Sequence, residues 1–235
     1  MKKYFMILLS MYILISCDDG KIYGDAAVIE REGSTVEMSG IVKGVDSWPG
    51  GYSVVIAGFG KSEYADISKT VPVPEDEDET ISLTMGGIGS DVTTLELCVI
   101  DRLRRRVVTF YSMDCDHAAS PISMEVGTVD VGMYNSIQKE VFDTYCISCH
   151  GLSGQLAAGV NLTEGNSYDA LVNQVADKDE SESLLVKPGD VENSYLHKML
   201  NSNVTSNWRT DHMNIITSTT LLTLIDEWIS SGAKE

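Results

Sequence analysis

The chain has 235 residues, of which 43% are hydrophobic and 22% charged, and its formal net charge is −18 at pH 7. This length allows one large or two ordinary domains, and we expect two. The composition is that of a folded globular protein rather than a disordered one. The acidic excess argues against a nucleic-acid partner, because phosphate binding requires clustered Lys and Arg. It suits either solubility or the attraction of a basic partner.

The amino terminus predicts export and lipidation. Lys2 and Lys3 precede the uncharged run YFMILLSMYILIS, which ends at Cys17. The run is shorter than the roughly 20 residues of a membrane-spanning helix, so it fits a cleaved signal better than a retained anchor. The letters LISC at 14–17 resemble a bacterial lipobox, which implies cleavage after residue 16 and diacylation of Cys17. An ordinary signal peptide with an incidental Cys is the alternative.

This pattern, together with the change in residue composition after it, divides residues 1–131 into three segments. We expect a signal peptide over 1–16, a linker over 17–35 and a β domain over 36–131. The mature protein would be lipid-anchored outside the cytoplasm in the bacterial cell envelope, at the outer membrane or the cell surface.

Residues 36–131 contain short β-branched and aromatic runs such as YSVVIAGF and TTLELCVI, bounded by Gly, Pro and acidic clusters. Six or seven short strands at this spacing predict an antiparallel, all-β sandwich of immunoglobulin or fibronectin type. We find no enzyme motif in this segment.

The apolar period becomes helical from Met133 onward. Met133, Ile137, Val141 and Tyr145 fall on one face, with Phe142 beside them. This pattern predicts a helix that runs directly into Cys146.

Ser136 is the expected cap of the helix that begins near Met133. Three further helices are predicted. The first of the three follows Asn166 or Ser167, and the second contains Tyr195 and Leu200. The third covers the apolar stripe at 221–229, with Ser218 or Thr219 as cap and Gly232 as stop. The sequence thus predicts a small all-α domain over 132–235, behind the β domain.

The motif CISCH occupies residues 146–150 and is the attachment signature of c-type haem. Two thiols one helical turn apart can each form a thioether with one haem vinyl group, and the adjacent His150 can bind the iron. A CxxC redox pair and half of a zinc site are the alternatives. A redox pair should open a helix, and a zinc site would need a second ligand pair.

Residues 133–235 resemble a class I cytochrome c domain of the variant found in bacterial lipoproteins. The resemblance rests on the order CISCHG, KPGDVENSYL, a Met and IDEWISSGA. It implies one covalent haem c, with Cys146 and Cys149 as thioether residues and His150 as proximal iron ligand.

The same resemblance assigns further residues. Pro188 would pack beside the haem, and crossing first and last helices would bring Phe142 and Trp228 together. Met213, in the loop before the last helix, would be the distal iron ligand. His212 is the adjacent alternative and would give a bis-histidine iron of lower reduction potential. Other candidates for the sixth position lie less favourably in the sequence: Met199, His197 and His117.

The function implied is single-electron transfer in the cell envelope by an electron carrier rather than a catalyst, so no catalytic residue is expected. Its partners would be a redox protein, for which a basic surface would suit, and the membrane through the lipid anchor. Two alternatives stay open. One is a five-coordinate haem sensor or peroxidase-like protein, and the other is a binding lipoprotein whose β domain recognises a partner.

Two cysteines remain after lipidation and haem attachment, Cys98 and Cys115. One pair in an oxidising compartment predicts a disulfide that would stabilise the β domain by about 3 kcal/mol. Two buried free thiols are the alternative.

Overall fold

The computed structural model of this chain describes residues 33–119, 121–151, 156–177, 183–202, 204 and 211–235. The predicted signal peptide at 1–16, Cys17 and all but the end of the predicted linker at 17–35 lie outside these residues. Residues from Glu32 to Glu235 form one compact unit. Among the described helices, none has both the length and the apolar character needed to cross a bilayer.

Seven strands form two sheets. They are β1 (Ser34–Lys43), β2 (Ser53–Phe59), β3 (Ile67–Thr70), β4 (Thr80–Ile88), β5 (Thr94–Ile100), β6 (Arg106–Asp114) and β7 (Ile122–Asp130). The strand order is β4-β1-β7 in the first sheet and β3-β2-β5-β6 in the second.

Alternating side chains explain how the sheets pack. Along β4 buried and exposed residues alternate, so one face points to the core and the other to solvent. β2 is instead buried after its first residue. Val54 and Ile56 enter the core between the sheets, whereas Val55 and Phe59 belong to a small apolar cluster on the other face.

The carboxy-terminal part contains five α-helices in the described residues. They are α1 (Met133–Ile137), α2 (Ile147–His150), α3 (Ser167–Leu171), α4 (Tyr195–Asn201) and α5 (Thr219–Ser230), and a π-helix (Gln138–Cys146) joins α1 to α2. The apolar residues of this helix recur every four positions, a spacing slightly longer than one turn of an α-helix and slightly shorter than one turn of a π-helix. A helix that combines α and π turns therefore keeps these apolar residues near one face.

The predicted fold class, a multidomain chain with an all-β immunoglobulin or fibronectin-like sandwich followed by a small all-α cytochrome c domain, is wrong. Two sheets dominate the structure, and four of the five α-helices have only 4 to 7 residues. In the segment between α3 and α4, isolated β-bridges pair Val172 with Val186 and Val175 with Leu184. Within the ranges that the structure describes, no all-α cytochrome domain follows the sheets.

The physical reason is that such short helices cannot enclose a core alone. Their apolar cluster includes Val108 of β6, and Trp48, Val107 and Phe110 pack against both this cluster and the core between the sheets. The helices therefore complete their core with side chains from the β segment.

The sequence predicts purely antiparallel sheets, and this prediction is also wrong. β7 pairs with β1 in parallel, with Val36 opposite Ile122 and Met38 opposite Met124. Side chains alternate in the same way along parallel and antiparallel strands, so the pattern alone could not show the direction of pairing.

The predicted disulfide between Cys98 and Cys115 is not formed, since both are free thiols. Thr109 of β6 lies opposite Cys98, whereas the Cys115 amide donates to the carbonyl of Thr93, which is five residues before Cys98 and directly precedes β5. Five strand residues span roughly 16 Å. A disulfide needs its two Cα atoms within about 7 Å, so this register excludes the bond.

Candidate functional site

The CxxCH motif lies on the last turns of the helix that begins at Met133. Cys146 ends the π-helix, and Cys149 and His150 belong to α2. Gly151 follows, where an added Cβ would lie 2.8 Å from the Cβ of Ile147 and 2.9 Å from its carbonyl oxygen. The chain can therefore turn sharply after His150 because residue 151 has no side chain.

The start of this helix is attached to the sheets. The Met133 amide donates to Ser47 Oγ at 2.8 Å, and Trp48 Nε1 donates to the Val131 carbonyl at 2.7 Å. Gly132 is the residue before the first turn, and Ser136 Oγ donates back to its carbonyl at 2.8 Å. Ser136 is therefore not the cap that the sequence predicts, because its hydroxyl bonds within the first turn.

The two thiols of the motif differ in environment. Cys146 is half-buried and Cys149 is exposed. Burial, with a smaller effect of Cys149, raises the pKa of the Cys146 thiol to about 11. Both residues lie at the carboxyl end of a helix, where the dipole also disfavours a thiolate. Thiol–disulfide exchange requires the thiolate, so this environment argues against a redox pair.

His150 is oriented by a backbone carbonyl. Its Nδ1 lies 3.2 Å from the oxygen of Val160. A carbonyl can only accept a hydrogen bond, so Nδ1 carries the proton and Nε2 keeps the lone pair that a metal would bind. The Leu162 amide also donates to the His150 carbonyl at 2.8 Å, which holds the 160–162 segment beside the motif.

A buried polar network supports this segment. The Gln138 amide nitrogen donates to the carbonyl of Leu162 at 2.9 Å and to Asp143 Oδ1 at 2.7 Å. Ser167 Oγ donates to the Gln138 amide oxygen and bonds to the Tyr134 hydroxyl at 2.6 Å. Gln138 and Ser167 are both nearly inaccessible to solvent. No sequence motif marks Gln138, Ser167 or the Val160 carbonyl as parts of the site.

His212 is the second histidine at the site. Its ring centroid lies 6.2 Å from that of His150, and the two ring planes are inclined by 48°. Met213, the predicted distal ligand, has a side chain that is 36% exposed.

The other residues implied by the resemblance lie as follows. Pro188 is half-buried in a turn that is joined to α5 by the Gly189 amide, which donates to the Ile229 carbonyl at 2.7 Å. Phe142 and Trp228 are buried in one cluster. Tyr134 contacts both rings, at centroid distances of 6.4 Å and 5.1 Å.

The remaining histidines are engaged elsewhere. His117 Nε2 donates to the Val92 carbonyl at 2.8 Å, and its Nδ1 lies 3.2 Å from Ser34 Oγ. His197 Nδ1 lies 2.8 Å from Asp226 Oδ1. In the part of the chain that the structure describes, no three His, Cys, Asp or Glu side chains are grouped as metal ligands. A four-ligand zinc site is therefore not assembled among these residues.

Comparison of this chain with family models, with curated proteins and with solved structures finds no match. The likeness to cytochrome c therefore rests on the sequence motifs alone.

Proposed function

We propose that this chain is a lipid-anchored c-type haem protein that transfers single electrons in the cell envelope. The observation that carries the proposal is the oriented imidazole of His150 directly after the Cys146 and Cys149 thiols. An imidazole with Nδ1 bonded to a carbonyl and Nε2 available is the form that binds a metal. Haem supplies a one-electron iron couple when it is bound there.

Each residue of the motif would have a distinct role. Each thiol would add across one haem vinyl group, with a new S–C bond at one carbon and the proton at the other, so no oxidant is consumed. The thiols must be reduced for this step, as they are in the structure. His150 would bind the iron through Nε2, and the Val160 carbonyl would hold the ring in that orientation.

The environment of the motif favours haem over the other two uses of these residues. The raised pKa of Cys146 is unfavourable for thiol exchange, and the described residues provide no zinc ligand set. The net charge of −18 would attract a basic redox partner and repel nucleic acid.

The test is a denaturing gel stained for haem, run on protein from cells that can mature c-type cytochromes. We expect a haem band at the mass of the protein and a reversible one-electron change in the visible spectrum on redox titration. Replacement of both Cys146 and Cys149 by Ala should abolish the band. Cys115→Ala is the matched control, because this free thiol lies outside the motif, and it should keep the band.

A wild-type protein without a haem band would contradict the proposal. A haem band together with catalytic turnover of peroxide would instead favour the peroxidase-like alternative.

A further inference from the structure

The turn before α5 determines which of two neighbouring side chains faces His150. The Met213 amide donates to Asp211 Oδ1 at 2.9 Å, and the Ile215 amide donates to the His212 carbonyl at 3.3 Å. Asn214 completes the turn with a φ of 72°, in the left-handed region that Asn tolerates better than most residues.

This turn gives His212 and Met213 different environments. Ile216, which is 3% exposed, anchors the chain in the helical core after the turn. His212 is half-buried, whereas the Met213 side chain is 36% exposed. His212 is thus the more enclosed of the two neighbours, and its ring is the one that lies 6.2 Å from the ring of His150.

The distance between the two histidines fits one metal between them. Two imidazoles bound on opposite sides of a metal by bonds of about 2.0–2.1 Å have ring centres roughly 6 Å apart. The centroids of His150 and His212 are 6.2 Å apart. The 48° inclination of the rings is compatible with this arrangement, because each imidazole can rotate about its own metal bond.

The other candidates for the sixth position are less well placed. His117 and His197 lie in other parts of the fold, where His117 contacts Val92 and His197 contacts Asp226, whereas the ring recorded beside His150 is that of His212. Met199 packs against the apolar core of the helices.

We infer that His212, and not Met213, is the second axial ligand, so that the haem iron is bound by two histidines. This inference rests on the proposed haem attachment. It also specifies the partner more closely: a thioether ligand raises the reduction potential, so a bis-histidine iron would exchange electrons with partners of lower potential.

The experiment compares His212→Ala with Met213→Ala in the full mature holoprotein. Haem-stained gels of each variant first establish that the haem is attached. The readouts are the spin state of the ferric iron, its near-infrared charge-transfer band and the binding of carbon monoxide by the ferrous protein.

We expect wild type and Met213→Ala to be low-spin, to lack the sulfur–iron band and to bind little carbon monoxide. His212→Ala should become high-spin and bind carbon monoxide, and added imidazole should restore the low-spin spectrum. His212→Met provides a second variant that keeps a ligand, and it should gain the sulfur–iron band and a higher potential.

A sulfur–iron band in wild type that disappears in Met213→Ala would overturn the inference and leave the proposed function intact. A high-spin wild type, or a low-spin His212→Ala without added imidazole, would also overturn it. Absence of the haem band from the wild-type protein would instead contradict the proposed function itself.

Discussion

Replacement of Gln138 by Leu should destabilise the protein through one specific buried group. Gln138 is 3% exposed, and its amide is the donor to the carbonyl of Leu162, which is itself 5% exposed. Leucine has a similar size but no donor, so this carbonyl would remain buried without its hydrogen bond. Ser167 would keep its bond to Tyr134, and Asp143 is exposed and can bond to water.

The magnitude follows from these contacts. A buried acceptor left without a donor costs about 1–3 kcal/mol, so we expect the free energy of unfolding to fall by about 2 kcal/mol. For a chain of this size, that corresponds to a decrease in Tm of roughly 4–8 °C. Urea unfolding followed by circular dichroism, with equal haem content in each sample, measures the change.

Gln174→Leu is the matched control, because Gln174 is exposed and should tolerate the same substitution within about 0.5 kcal/mol. The double variant Gln138→Leu, Ser167→Ala should lose less than the sum of the two single changes, since the two side chains belong to one network. A Gln138→Leu protein as stable as the Gln174→Leu control would refute this reasoning.

Three further predictions concern the cysteines outside the motif. Replacement of Cys17 by Ala should leave the precursor unprocessed or release the protein into the soluble fraction, and unchanged membrane fractionation and gel mobility would disprove lipidation. Thiol labelling of the unfolded, unreduced holoprotein should modify two cysteines, Cys98 and Cys115, and an absence of labelling would indicate a disulfide. In the folded protein at pH 8, Cys98 should not react, because burial raises its thiol pKa well above the usual range and the reactive thiolate is therefore scarce.

The local features of the chain were largely predictable from its sequence. The last helix has the predicted apolar face, Ser218 Oγ accepts from the Leu221 amide at its start, and Gly232 lies just beyond its end with a φ of 106°. Such features depend on residues within one or two turns of each other, which a sequence displays directly.

The long-range features were not predictable in this way. The parallel partner of β7, the register that separates Cys98 from Cys115 and the docking of short helices on β6 all depend on residues distant in the chain. Alternating hydrophobicity shows that a strand has a buried face, but it contains no information on which strand lies beside it.

The candidate site also combines local features that the sequence displays with a long-range feature that it does not. The spacing of Cys146, Cys149 and His150 was visible in the sequence, as were His212 and Met213 as neighbouring candidates. The sequence could not show which of these two neighbours faces His150, because the choice depends on a turn made by Asp211 and Asn214.

The parallel pairing of β1 with β7 has a consequence for the order in which the chain folds. β1 is the first strand and β7 the last, so the three-stranded sheet cannot be completed until the whole β segment has emerged. Such long-range pairing is slow compared with local folding. The segment with Cys146 and Cys149 directly follows β7, and the helices need β6 to close their core. Both thiols would therefore stay accessible while the sheets assemble, which is when the proposed haem attachment requires them.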